Sequence, residues 1–319
     1  MVDKYQLKQI FDKTINICLN EIIGKIGELK SLYLHHLPKE YRKILSIGVG
    51  SDDKLQELIS IFQKYIVDDE RQIVAKINEN LLNTNREKIQ ELTNEVNHTL
   101  NTNFDVEFVY QMFVSYIKTL THFMLMLAFR CMGIDLSDSN VSIDYGSLGT
   151  PGRIAKMWVC KNIYDLTEPL SGRFAIEPDL VIFPAKDDEI GKPVTLTLTI
   201  NSLCSHHLFR FGNEFRNQKS NAIISYIPRD KVLGLSKINR WVEWVARRGW
   251  LQEDLTKYIG EELKRRLNTN DIYVGLINLQ HGCVAFRGKC DSHSYTTTEY
   301  YSGKYEDIMF RKEIIDSLS

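Results

Sequence analysis

Through the first hundred positions, apolar residues recur at steps of three and four. Ile10, Phe11, Ile15, Cys18, Ile22 and Ile26 mark one such stripe within residues 7–34, the spacing of an amphipathic helix. Pro38 interrupts it, and Ser51-Asp52-Asp53 is placed to cap a second helix carrying Leu55, Leu58, Ile59 and Phe62. Asn101-Thr102-Asn103 marks a loop, so residues 1–105 are expected to form an all-helical N-terminal extension. A longer helix is expected over residues 105–132, with Gly133 as its C-cap. Thr150-Pro151 then opens another, Thr150 capping it and Pro151 taking its first position.

The period changes beyond that point. Val194, Leu196, Leu198 and Ile200 alternate in the manner of a strand over residues 194–203, and residues 222–227 read as its return, closed by Pro228. Ser236 is placed to cap a helix through Ile238, Val242 and Val245. Leu255, Ile259, Leu263 and Leu267 make a four-step stripe within residues 252–267. Residues 272–279 and 283–287 then read as strands. The order strand, strand, helix, helix, strand, strand predicts an α+β domain: an antiparallel four-stranded sheet with two helices on one face.

Composition narrows the partners. The chain has 319 residues, 43% hydrophobic and 25% charged, with a net charge of -1. That balance offers no global field for nucleic acid or an anionic membrane, so an anionic substrate must meet a local cluster of Lys and Arg. The longest apolar run, residues 123–132, is interrupted by Arg130 and too short to span a bilayer. Residues 1–6 show no basic start followed by an apolar stretch, so no secretory leader is expected there. Six scattered cysteines in a chain of this size point to free thiols and a cytoplasmic setting. Gly48-Val49-Gly50-Ser51 lacks the third, helix-opening glycine, which argues against a phosphate loop.

Candidate chemistry collects in two short segments. Cys204-Ser205-His206-His207 follows one expected strand, and His281-Gly282-Cys283 lies between two others. Zinc favours thiolate and imidazole, and catalytic sites commonly combine three protein ligands with an open water position. Two cysteines and one histidine satisfy that count. The remaining histidines titrate in the range useful for proton transfer. Spacing alone leaves open whether these residues bind metal, since a buried cysteine is often only a small hydrophobe.

The surrounding residues resemble the GTP cyclohydrolase I family. The resemblance is carried by Cys204-Ser205-His206-His207, Tyr226-Ile227-Pro228, Gly234-Leu235-Ser236-Lys237-Ile238-Asn239-Arg240, Ala246-Arg247-Arg248, Gln252-Glu253-Asp254-Leu255-Thr256, and His281-Gly282-Cys283 with Arg287-Gly288. Upstream, Gly133-Ile134-Asp135-Leu136 and Thr150-Pro151-Gly152-Arg153-Ile154-Ala155-Lys156-Met157 also match. It implies the tunnelling fold over a catalytic part at 106–319, with residues 1–105 outside it. It also implies Zn2+ held by Cys204, His207 and Cys283, with His206, His281 and Ser236 as catalytic residues. Gln252 and Glu253 would bind GTP, Glu253 at its guanine. Lys237, Arg240, Arg287 and Arg153 would clamp its triphosphate, a pairing suited to Lys and Arg donors.

The activity so implied is hydrolytic opening of the GTP imidazole ring with loss of formate, giving 7,8-dihydroneopterin triphosphate for folate, pterin or 7-deazaguanine compounds. The alternative is a variant or non-catalytic guanine-nucleotide-binding regulatory protein on the same fold. Family members form homo-oligomeric rings, so a decamer is implied, in which Arg153 serves a neighbour's substrate. The N-terminal helices are left to dock a protein partner, and no nucleic-acid or membrane partner is expected. Ser205 stands where the family carries an acidic residue, and residues 209–220 form a longer, polar loop beside the site. Both departures bear on product and access.

Overall fold

The computed structural model describes residues 54, 57–62, 81–134, 149–159, 162–212, 221–286 and 294–316. The expected helix over 7–34, the cap at 51–53, Asp135 and Leu136, most of the 209–220 loop, and Arg287-Gly288 lie outside the described residues. The chain divides into two compact units, Met1–Lys156 and Met157–Ser319.

In the first unit, α1 (Leu81–Leu100) and α2 (Val106–Cys131) are joined by a tight turn. Asn101 adopts a left-handed conformation (φ 52°) there. Asn97 clamps the turn: its Nδ2 donates to the Phe104 carbonyl at 2.8 Å, and its Oδ1 accepts from the Phe104 N–H at 2.8 Å. Asp105 then caps α2, its Oδ1 accepting from the Phe108 N–H at 2.7 Å. Leu92, Val96 and Leu100 share one core with Phe108, Val109, Met112 and Tyr116, joined by Leu58, Ile59, Ile61 and Phe62. The two helices thus pack on each other across residues 105/106. α2 ends as expected, with Gly133 left-handed (φ 73°) and the Ile134 N–H reaching back to the Phe129 carbonyl at 2.9 Å.

Among the described residues, α2 is the one helix long and apolar enough to cross a membrane by length and composition. The apolar window runs from residue 106, well before the run at 123–132. Much of it is core, and Gln111, Ser115, Lys118, Thr119 and His122 on the same helix are also buried. A third helix, α3 (Gly149–Trp158), begins one residue before the expected cap.

The second unit is α+β and antiparallel. Its strands are β1 (Ile182–Pro184), β2 (Val194–Leu198), β3 (Asn201–Leu203), β4 (Arg210–Gly212), β5 (Asn221–Tyr226), β6 (Lys231–Leu233), β7 (Ile272–His281) and β8 (Thr296–Ser302). Six of them form one sheet in the order β2-β5-β7-β4-β3, with β8 also pairing β7; β1 and β6 form a separate ribbon. The helices are α4 (Leu235–Ala246), α5 (Gln252–Leu267), the one-turn α6 (Gly282–Ala285) and α7 (Ile308–Asp316).

Alternation sorts the sheet's faces. Leu255, Ile259, Leu263 and Leu267, the expected stripe of α5, are at most 1% exposed, and α5 packs on β7 and β8. Gly260 is what allows this approach, because a Cβ there would stand 2.0 Å from the Tyr300 ring. On the other face, Ile223, Ile227 and Tyr273 pack with Tyr305, Phe310, Ile314 and Ile315.

Three sequence expectations change. The single strand over 194–203 is two: β2 pairs with β5, while β3 turns away to pair with β4, so the sheet has six strands rather than four. The strand expected over 283–287 is not formed at its described residues 283–286, since residues 282–285 form α6, and the second strand of the last pair is β8. The apolar run Cys283-Val284-Ala285-Phe286 reads as a strand, but here it follows the end of β7 as a helical turn. Ser236 is not the cap of α4, whose N-cap is Gly234.

Candidate active site

The site is built where the β3–β4 hairpin meets the end of β7. Its turn is tight: the Leu208 N–H donates to the Cys204 carbonyl and the Cys204 N–H to the Phe209 carbonyl, both at 2.8 Å. Leu208 takes a left-handed conformation (φ 55°) to close it. Cys204 is buried, while Ser205, His206 and His207 are exposed on the turn. The Ser205 N–H donates to the Trp250 carbonyl at 3.1 Å, and the Trp250 N–H to the Leu203 carbonyl at 3.0 Å. These bonds bring the first turn of α5, with Gln252 and Glu253, beside the cysteine.

β4 pairs with the last two residues of β7, Phe211 opposite His281 and Gly212 opposite Gln280. Just upstream β7 is irregular: a register shift lies between Leu276 and Leu279, and Asn278 is left-handed (φ 54°). Leu276 and Leu279, three apart, are both fully buried, as an extra residue in a strand dictates. Gly282 lets the hairpin close on the strand end, since a Cβ would lie 3.0 Å from the Arg210 carbonyl oxygen.

This arrangement gathers Cys204, His281 and Cys283, whose ligand atoms all lie within 4.8 Å of one another. Neither Cys204 nor Cys283 is held in a disulfide. Two thiols and an imidazole at that spacing fit a single zinc ion, which sits about 2.0–2.3 Å from its nitrogen and sulfur ligands. His207, the histidine expected as ligand, is outside that trio; its ring centroid lies 5.9 Å from that of His206 on the same turn.

His281 is held on two sides. Its ring stacks on Phe211 with centroids 4.6 Å apart, and its Nε2 lies 2.7 Å from Gln252 Oε1. Burial pushes the His281 imidazole below its ordinary pKa, and the nearby Glu253 carboxylate partly opposes that. Gln252 is 1% exposed. Its amide nitrogen donates to the Leu276 carbonyl at 3.2 Å, the Thr296 carbonyl at 3.1 Å and Thr298 Oγ1 at 3.1 Å. A contact from Gln252 to substrate would require it to give up internal partners. Glu253, its neighbour, is exposed.

The expected cationic group is distributed. Ser236, Lys237 and Arg240 lie on the first turns of α4, with Ser236 and Arg240 exposed. The helix has no side-chain cap. Its start is anchored through Gly234, whose N–H donates to the Val181 carbonyl at 3.0 Å, and through Tyr226, whose hydroxyl accepts the Leu233 N–H at 3.0 Å. An uncapped N-terminus flanked by Lys and Arg favours anions. Arg153 belongs to the other compact unit, exposed on α3, where its Nη2 donates to Thr150 Oγ1 at 2.7 Å. Arg287 lies outside the described residues.

Sequence reasoning passed over Phe211 and Thr298. Phe211 sits in the polar run after His207, where no strand period shows. Thr298 sits in a threonine run with no apolar alternation to mark a strand.

The sequence model of the GTP cyclohydrolase I family matches residues 139–319. The GTP cyclohydrolase 1 of Flavobacterium johnsoniae is 35% identical over 187 residues, covering 59% of this chain and 75% of that protein. That of Aeromonas hydrophila is 36% identical over 176 residues, covering 55% and 71%. That of Citrobacter koseri is 36% identical over 179 residues, covering 56% and 71%. The match takes in the β3–β4 turn, α4, α5 and the end of β7, so the chain belongs to the GTP cyclohydrolase I family.

Proposed function

We propose that this protein hydrolytically opens the imidazole ring of GTP, releases formate and forms 7,8-dihydroneopterin triphosphate. The observation that carries the reading is the convergence of Cys204, Cys283 and His281 at the strand end in a chain of this family.

Zinc, held by Cys204 and Cys283 with His207 from the same turn as Cys204, supplies Lewis-acid activation of the hydrolytic water when bound. Every other task falls to side chains of the protein. His206 protonates N7 as the bond to C8 breaks, and His281 moves protons in the steps that follow, with Ser236 assisting ring closure. Glu253, exposed at the start of α5, accepts hydrogen bonds from the guanine N1–H and 2-amino group. Adenine lacks those donors. Lys237 and Arg240 bind the triphosphate at the uncapped start of α4, with Arg287 and with Arg153 of a neighbouring subunit. Burial of His281 favours its neutral form, the form able to accept a proton.

The four strands β2, β5, β7 and β8, backed by α5 with α4 packed beside it, are the tunnelling-fold unit in this reading, and the subunits close into a ring of ten. The catalytic part is taken as residues 106–319, supported by the family match from residue 139. Residues 1–105 form a helical extension that docks a protein partner. Two thiols required in reduced form suit the cytoplasm.

The test is direct. Purified protein with zinc and GTP should release formate and yield a pterin that fluoresces after oxidation. Metal bound without formate release overturns the proposal.

A further inference from the structure

The hydrogen-bond directions around Gln252 can be followed atom by atom. Two of the neighbours of its side-chain amide, the carbonyl oxygens of Leu276 and Thr296, can only accept, so the NH2 end must face them. Reversing the amide would set its oxygen against both. The hydroxyls agree: Thr256 Oγ1 donates to the Gln252 backbone carbonyl at 2.7 Å. Its oxygen therefore accepts from Thr298 Oγ1, 2.7 Å away. With its proton so used, Thr298 Oγ1 accepts from Gln252 Nε2. The amide oxygen is left facing His281, and an amide oxygen only accepts. Nε2 of His281 must carry a proton to make that 2.7 Å contact.

We propose that Gln252 is a positioning residue that locks His281 in the Nε2–H tautomer and so reserves Nδ1 as its proton-accepting atom. Phe211, 1% exposed and stacked within 3° of the imidazole plane, fixes the ring's tilt while Gln252 fixes its rotation about the ring axis. Gln252 acts through His281 and not by touching GTP. For its effect on turnover the proposal rests on the reading of this site as GTP-hydrolysing; for the tautomer it does not.

The experiment is magic-angle-spinning 15N NMR of the full-length zinc-loaded protein labelled in its histidine rings, with His281→Gln identifying the signals. The expected result is a protonated, pyrrole-type Nε2 and an unprotonated, pyridine-type Nδ1 for the neutral His281 ring. Gln252→Leu should give a mixture of tautomers. In steady-state kinetics Gln252→Leu should lower kcat about 10–100-fold, the usual cost of losing an orienting partner, with KM for GTP little changed. A wild-type ring protonated on Nδ1 overturns the proposal, and it needs no variant to fold. A rise in KM at unchanged kcat also overturns it, because that marks a direct substrate contact. If wild-type protein releases no formate from GTP, the activity reading fails while the tautomer result stands.

Discussion

The imidazole of His281 lies face to face on the ring of Phe211, with centroids 4.6 Å apart and planes within 3°. One residue comes from β7 and the other from the strand paired beside it, so the contact ties the hairpin bearing Cys204 to the strand end that leads into Cys283.

Phe211→Leu keeps the site apolar but removes the stack. Aromatic pairs contribute about 0.5–1.5 kcal/mol beyond the area they bury, so a stability loss of about 1 kcal/mol or more is expected in denaturant unfolding. Turnover should fall more than GTP affinity, because the ring being freed belongs to the histidine proposed to move protons. Equal losses in both would argue that Phe211 only packs.

Cys204→Ala and Cys283→Ala should each abolish stoichiometric zinc binding. The two histidines should separate. His207→Ala is expected to lose zinc, whereas His281→Ala keeps it and loses turnover. Metal content by mass spectrometry decides between them. Zinc lost from His281→Ala but kept by His207→Ala would make the ligand set the trio seen at the strand end.

Alkaline stability follows from the buried tyrosines. Burial pushes the Tyr305 phenol up to about 12 from 10.0, although its hydrogen bond with Ser225 pulls the other way. Tyr273 is raised as well, by burial and by its bond to Glu299. The folded state therefore favours the neutral phenol. Its contribution is complete below pH 10, the unfolded value, and is lost as pH rises from there through the folded value of about 12. For Tyr305, fully buried, that amounts to on the order of 2–3 kcal/mol. Urea unfolding between pH 9 and pH 12 should show the decline, and Tyr305→Phe should flatten it.

Leu100 is fully buried between α1 and α2. Leu100→Ala should cost about 2–5 kcal/mol of stability in the first unit and leave KM for GTP unchanged. A deletion ending at residue 105 would uncover Phe108, Val109, Met112 and Tyr116, and light scattering should detect association of the truncated chain. A monodisperse, fully stable truncation would show that α2 does not need α1.

Much of this was legible in the sequence wherever a periodic face meets a single environment. The stripe of α5 from Leu255 to Leu267 is an example, and the Gly133 stop of α2 is another. The β3–β4 hairpin was not legible, because its strands are three residues each and carry no alternation. Residues 282–285 misled because a short apolar run reads alike as strand or helical turn. The cysteines and His281 could be picked out from their motifs. The place of Gln252 could not, since the direction of its amide is set by carbonyls of β7 and β8, 24 and 44 residues away in sequence.

The most direct test of the central claim uses GTP labelled with carbon-13 at C8 and protein loaded with zinc. The label should leave as formate, with the unlabelled remainder recovered as dihydroneopterin triphosphate. Label retained in the nucleotide, with zinc demonstrably bound, would contradict the account.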